Sequence, residues 1–287
     1  MTPDYLTWRF LRLGGRLTVL VALSSICVSL QADAADSPRK QDAEKLAENA
    51  RVVLAAIVKA AGENHRLPKR DAPGARTPFR RGGDDLSVYY VRAAASAARR
   101  LPEKDAAPAF LLALGIALDD SSLLRSNLLT RELWHKVEPD NAHKRRLAVL
   151  DSPTLHGRHD LAQHFAVSAA LTVAVGPQAA ESAGLLKEML DARGGSGFSF
   201  ADLSADFAGI AFARRLLDKP SRLADIEKNF RIGDYAIAPR GLPEGLSAKE
   251  FEKRYGSLKD ERFQRLRGDI RKRIEALPGY RERGARD

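Results

Sequence analysis

Over most of residues 41–277, apolar side chains recur at three- and four-residue intervals, and alternating β-branched runs are scarce. That periodicity constrains the chain more than any other feature, because successive amphipathic helices must bury their stripes against one another. In 41–63 (QDAEKLAENARVVLAAIVKAAGE), Leu46, Val53, Ile57 and Ala61 share one helical face. Residues 84–101 read as a second helix, with acids at its start and Arg99 and Arg100 at its end, the order the helix dipole favours. Residues 105–118 (DAAPAFLLALGIAL) read as a buried helix with Pro108 in its first turn. Short polar helices are expected at 129–138 and 141–150, around Pro139. Three helices then fill 159–217: HDLAQHFAVSAALTVAV, PQAAESAGLLKEMLDA and FADLSADFAGIAFARRLL, with Pro177 opening the second and Gly194-Gly195 closing it. Residues 221–246 read as mostly irregular and 247–277 as strongly charged helix.

The expected fold is all-α, an irregular multi-helix bundle with a three-helix polar-lined core and a basic loop and tail. Its segments are a leader (1–34), an N-terminal helix (35–63), a basic flexible loop (64–83), a central helical domain (84–217, core 159–217), and an irregular and charged C-terminal part (218–287). The leader reads as a secretory signal peptide. Arg9, Arg12 and Arg16 precede the apolar run LTVLVALSSICVSL, and Ala32-Asp33-Ala34 supplies the cleavage site. The run is about 14 residues, short of the ~20 that span a bilayer, so no transmembrane span is expected in the mature chain. Cys27, the only cysteine, lies in that run. Disulfides and Cys-ligated zinc are therefore excluded from the mature chain, which must be held by core burial. An exported, periplasmic or envelope location follows as an expectation.

Charge is uneven. The formal net charge is +10, and two stretches, 64–82 and 249–287, hold essentially all of the excess. Such patches either solvate their segments or attract polyanions. For an exported chain the expected partners are an anionic envelope surface or an acidic protein. Nucleic acid is not expected, because no RNA-binding, zinc-finger or clear helix-turn-helix pattern is present.

Polar groups interrupt otherwise apolar faces of the central three helices. Asp160, His164 and Ser168 recur every four residues on the first. Lys187 and Asp191, with Glu188 beside them, lie on the second, and Asp202 and Asp206 on the third. If the helices pack together, these groups converge as a polar network, or as a carboxylate–His set that could hold a divalent metal through His164 and Asp206 or act as acid and base. No other cofactor is predicted. Each residue also has a plainer reading. Ser199 with Asp202 resembles a capping box, Asp160 suits a first turn, Lys187–Asp191 suits a surface pair, and His164 suits a core histidine. Asp206, between Ala205 and Phe207 inside a helix, has no such reading and demands a partner if buried.

Sharper motifs fail. The stretch GGSGFSF, with Ser196 and Gly197 at its centre, lacks the Lys-Ser/Thr of a phosphate loop and the third glycine of GxGxxG. His159-Asp160 is only a two-residue match to HD-type metal phosphohydrolases, Glu132-x-x-His135 is half of a di-iron motif, and no GxSxG elbow occurs.

The combined string D-x-x-x-H-F-x-x-S-A-x-L (160–171), K-E-x-x-D (187–191) and G-S-G-F-S-F-x-D-L-x-x-D-x-x-G (195–209) resembles the YfiM-type family, small bacterial envelope lipoproteins of unknown function. Phe198 and Phe200 stand where that family tends to carry Trp. The resemblance covers about a fifth of the chain, and the leader lacks a convincing lipobox. It implies an envelope location and a shared polar-lined helical core, and no reaction. A structural or binding protein is therefore the leading expectation. The alternative is a hydrolase of an envelope phosphate ester or glycan, working through a metal or a carboxylate acid–base pair.

Overall fold

The computed structural model describes residues 38–69, 78–121, 123–127 and 130–281. It is all-α, and no β-strand occurs among the described residues. The helices are α1 (Pro38–His65), α2 (Gly83–Ala98), α3 (Glu103–Leu118), α4 (Arg131–Val137), α5 (Asp140–Leu147), α6 (His159–Val175), α7 (Pro177–Asp191), α8 (Phe200–Asp218), α9 (Leu223–Asn229), α10 (Ala248–Tyr255) and α11 (Glu261–Glu275). A single helical turn, Leu123–Ser126, precedes α4. The expected signal peptide and the centre of the basic loop lie outside the described residues.

The apolar, short-side-chain sequence of α3 lets it be buried from Ala106 to Leu118 almost without interruption. It packs between α1 and α6, and α6 in turn packs on α8 and α7. Small residues make these approaches close. A Cβ at Gly115 would collide with Ala166 and Ala170 of α6, and one at Gly209 would strike the Phe165 backbone. The row α1–α3–α6–α8 thus forms the core, with α7 laid against the exposed edge of α6 and α8.

Three local expectations change. Helix α3 begins at Glu103, so Pro108 sits in the second turn, where the exposed Lys104 loses its N–H partner. The segment 221–246 contains α9, whose Leu223 and Ile226 are buried against α2. The charged stretch 247–277 is two helices divided at Gly256 (φ 68°). Its stripe of Phe251, Phe263, Ile270 and Ile274 is buried, so it belongs to the bundle and is not a free tail. Part of its positive charge is used internally, because Arg267 and Arg271 both pair with Glu181 of α7. At the described edges of the basic loop, Arg80 pairs with Asp151, and the Arg81 guanidinium lies 4.3 Å from the centre of the Tyr89 ring.

Candidate functional site

The glycine stretch between α7 and α8 is a strap for the helix ends. The N–H groups of Gly195 and Gly197 both donate to the Asp191 carbonyl, at 2.8 and 3.1 Å. Gly197 has φ 91°, and a Cβ there would run into the Gly245 backbone. Phe198 exchanges two backbone hydrogen bonds with Leu246. The Phe198 ring packs 4.4 Å from Phe251, and Phe200 packs 4.8 Å from Tyr255. Ser196 is exposed.

Ser199 caps α8, its hydroxyl accepting the Asp202 N–H at 3.1 Å. The reciprocal half of the expected box is absent. The Ser199 N–H donates to Glu188 Oε2 at 2.8 Å, which frees the Asp202 carboxylate to face His164 and Arg158. Asp202 is therefore more than a cap.

Helices α6, α7 and α8 bring most of the expected residues together. Asp206 is buried, and its Oδ1 accepts from Ser168 Oγ at 2.6 Å and from His164 Nδ1 at 3.0 Å. The other His164 nitrogen, Nε2, faces Asp202 Oδ2 at 3.4 Å. Glu188 is wholly buried, its Oε1 accepting from Lys187 Nζ at 3.1 Å, and Lys187 also donates to Asp191 Oδ2 at 2.8 Å. Asp160 does not join them. It is half exposed in the first turn of α6 and pairs with Arg158, whose guanidinium also reaches Asp202 and Glu244.

These surroundings set the protonation states. Burial alone would lower the His164 pKa, but the Asp206 carboxylate outweighs it and holds the imidazole up to about 8. Burial pushes Glu188 up to about 7 against the pull of Lys187 and His164, and it raises Asp202 as well. Burial opposes the Lys187 charge, yet the Glu188 and Asp191 carboxylates raise its pKa. The hydrogen bond from Arg158 holds Asp160 below the usual range.

Both His164 nitrogens thus face carboxylates, the arrangement of a charged imidazolium. Ser168 donates to Asp206, so Ser168 and His164 do not form a nucleophile–base pair. Among the described residues, one group of three or more could hold a metal ion. Single ligand atoms of His164, Glu188 and Asp202 lie within 4.8 Å of one another. The expected pair was His164 and Asp206; this set shares His164 with it and adds Glu188 and Asp202. Asp206 occupies the far nitrogen of the imidazole, where metal-bound histidines commonly carry an orienting carboxylate.

Beside this network is a cavity of about 160 Å³. His164, Ser168, Lys187 and Asp206 are among its polar lining, and Leu124, Val167, Leu171 and Ala183 among its apolar lining. Gly184 admits Asp206 to the wall, because a Cβ there would lie 2.6 Å from Asp206 Oδ2.

A second buried hub went unread in the sequence. Arg146 and Glu138 are each 1% exposed. Arg146 Nε donates to Glu138 Oε1 at 2.7 Å, and its terminal nitrogens donate to the carbonyls of Ala117 (2.6 Å) and Asp119 (2.9 Å) at the end of α3. Arg125 and His143 complete the Glu138 shell. Arg146 follows Glu138 by eight residues across α5, a spacing with no helical signature. The hub holds in place Asp119, another residue of the cavity wall.

None of the family models, curated proteins or solved structures compared with the chain matches it.

Proposed function

We propose that this is a non-enzymatic binding protein of the bacterial envelope that holds a small molecule in its bundle core. The observation that carries the reading is the cavity of about 160 Å³, whose mostly apolar lining carries a few polar groups, Asp119, His164, Lys187 and Asp206 among them. Small-ligand sites combine those two features, with few polar groups fixing orientation. The engagement of both His164 nitrogens supports binding over catalysis. The likeness of 160–209 to the YfiM-type core, and the leader that reads as a signal peptide, support the envelope location. Addition of dissolved xenon should move NMR signals of Val167, Leu171 and Ala183 in the wild type. In Ala183→Leu, which fills the cavity, Val167 and Leu171 should stay unmoved. No shift in the wild type refutes the reading.

The basic segments extend the proposal to an anionic surface or acidic partner. Lys253, Arg254, Lys272 and Arg273 are exposed. Binding to anionic vesicles should fall steeply with salt. Absent or salt-insensitive binding counts against this role.

A second reading rests on the His164, Glu188 and Asp202 trio: a metal-dependent hydrolase of an envelope phosphate ester or glycan. Stoichiometric metal in the purified protein, lost in His164→Ala, would favour it. Metal at background level in both would remove it.

A further inference from the structure

The two ends of the basic loop are fastened to each other. Asn64, fully buried, accepts the Arg81 N–H at 2.8 Å and donates to the Arg81 carbonyl at 3.0 Å. The Arg80 N–H donates to the Pro68 carbonyl at 2.9 Å, which sets Lys69 beside Arg80 and Arg81. Asp151, between α5 and α6, closes the clasp. Its carboxylate accepts from Arg80 Nε at 2.9 Å and from Arg80 Nη2, and Asn64 Nδ2 lies 3.4 Å from it. Asp151 holds this place at φ 58°, a left-handed conformation uncommon outside glycine.

The neck so formed borders a pocket of about 420 Å³ whose charged lining is Lys69, Arg80, Arg81 and Asp151, with Gly82 and Ser152 also at its wall. Three cationic residues thus share the pocket with one carboxylate, and Arg80 already matches that carboxylate. Lys69 and Arg81 are exposed, and among the described residues neither forms an ion pair. The Arg81 guanidinium lies over the Tyr89 ring, a contact that leaves its positive charge unneutralised. Asp84 and Asp85, which follow in α2, are not part of the lining, and Asp84 is taken by Thr154 and Gly157. Unmatched positive charge in a concave place concentrates anions. Lysine meets a phosphate as a point charge and arginine as a two-pronged donor.

We propose that this pocket binds a phosphate group, free or carried by a lipid headgroup. Lys69 and Arg81 supply the charge, and the Asn64–Asp151 clasp holds the loop neck that carries them. The proposal rests on the anionic-partner reading above and gives that partner a discrete site, apart from the C-terminal helices.

The test is titration of the nitrogen-15-labelled chain with inorganic phosphate, with sodium chloride at equal ionic strength as control. Phosphate should move the amide signals of Lys69, Gly82 and Ser152 saturably, and chloride should not. Lys69→Gln/Arg81→Gln alters only exposed side chains. It should weaken phosphate about tenfold and leave the melting temperature unchanged. Lys253→Gln/Arg254→Gln should leave phosphate binding as it is. Sedimentation with phosphatidylcholine vesicles, with and without phosphatidylglycerol, separates the two sources. A headgroup site retains the chain only on the anionic vesicles and loses it in Lys69→Gln/Arg81→Gln. A free-phosphate site answers inorganic phosphate while that variant binds vesicles as the wild type does. Phosphate binding unchanged in Lys69→Gln/Arg81→Gln overturns the site. So does a chain that ignores phosphate and whose vesicle binding is unaffected by that variant; vesicle binding lost in Lys253→Gln/Arg254→Gln then keeps the anionic-surface reading standing. If neither phosphate nor anionic vesicles bind, both fall.

Discussion

Replacing Arg146 by Met probes the hub that holds the end of α3 and the Asp119 wall of the cavity. The substitution keeps an unbranched, flexible stem and removes the guanidinium and its charge. It strands the Glu138 carboxylate, itself 1% exposed, with Arg125 at 3.3 Å and His143 at 2.9 Å as its remaining partners. It also strips donors from the carbonyls of Ala117 and Asp119. Removing one member of a buried ion pair costs about 3–5 kcal/mol. Each bare carbonyl adds about 1–3 kcal/mol, offset in part by Arg125 and His143. A loss of at least about 3–5 kcal/mol is therefore expected, a large part of the ~5–15 kcal/mol of a typical domain. Urea unfolding followed by circular dichroism measures it. The double variant Arg146→Met/Glu138→Leu should recover part of the loss, because the uncompensated charge is gone while the carbonyls remain bare. A single-variant cost below about 1 kcal/mol, or a double variant equal to the sum of the singles, would refute the reasoning.

Asp206→Asn keeps an acceptor for His164 and Ser168 but deletes the charge. The folded His164 pKa is about 8 against an ordinary 6.5, so its stabilising contribution is present below pH 6.5 and lost as pH rises through 8. In chelator-treated protein the variant should be about 2 kcal/mol less stable at pH 6, with the deficit vanishing above pH 9; a pH-independent deficit, read from urea unfolding at several pH values, contradicts the ion pair. Gly209→Ala must push α8 away from the Phe165 backbone, and should cost about 1–3 kcal/mol or more in the same assay. Ser199→Ala removes the α8 cap and should cost about 1 kcal/mol, with no change in the cavity resonances of α6.

The helical period announced most of the bundle, because α1, α2, α3, α6, α7 and α8 are long enough to repeat their apolar stripe. It failed on α9, where seven residues carry too few repeats to separate helix from loop. The stripe Phe251, Phe263, Ile270, Ile274 was present in the C-terminal stretch, but its high charge made it read as a tail. Within the site, four-residue spacing placed His164 and Ser168 on one face, and the isolation of Asp206 inside a helix marked it as needing a partner. Asp160 has the same spacing, yet it lies at the helix end, where solvent and Arg158 claim it. The role of Glu188 was open to the sequence only in part, since its hydrogen bond to the Ser199 N–H depends on how the glycine strap folds back. Asp119, Arg146 and Glu138 carry no periodic or motif signal. Their meeting is a product of tertiary packing between α3, α5 and the loop before it.

The claim that the core of this protein is organised around a buried His164–Asp206 ion pair is tested most directly on the imidazole itself. Nitrogen-15 NMR titration of the His164 ring, assigned by its loss in His164→Gln, reports both nitrogens. The structure predicts a ring protonated on Nδ1 and Nε2 at pH 7 and titrating near 8. A ring that is neutral at pH 7, or that titrates below the ordinary 6.5, would contradict it.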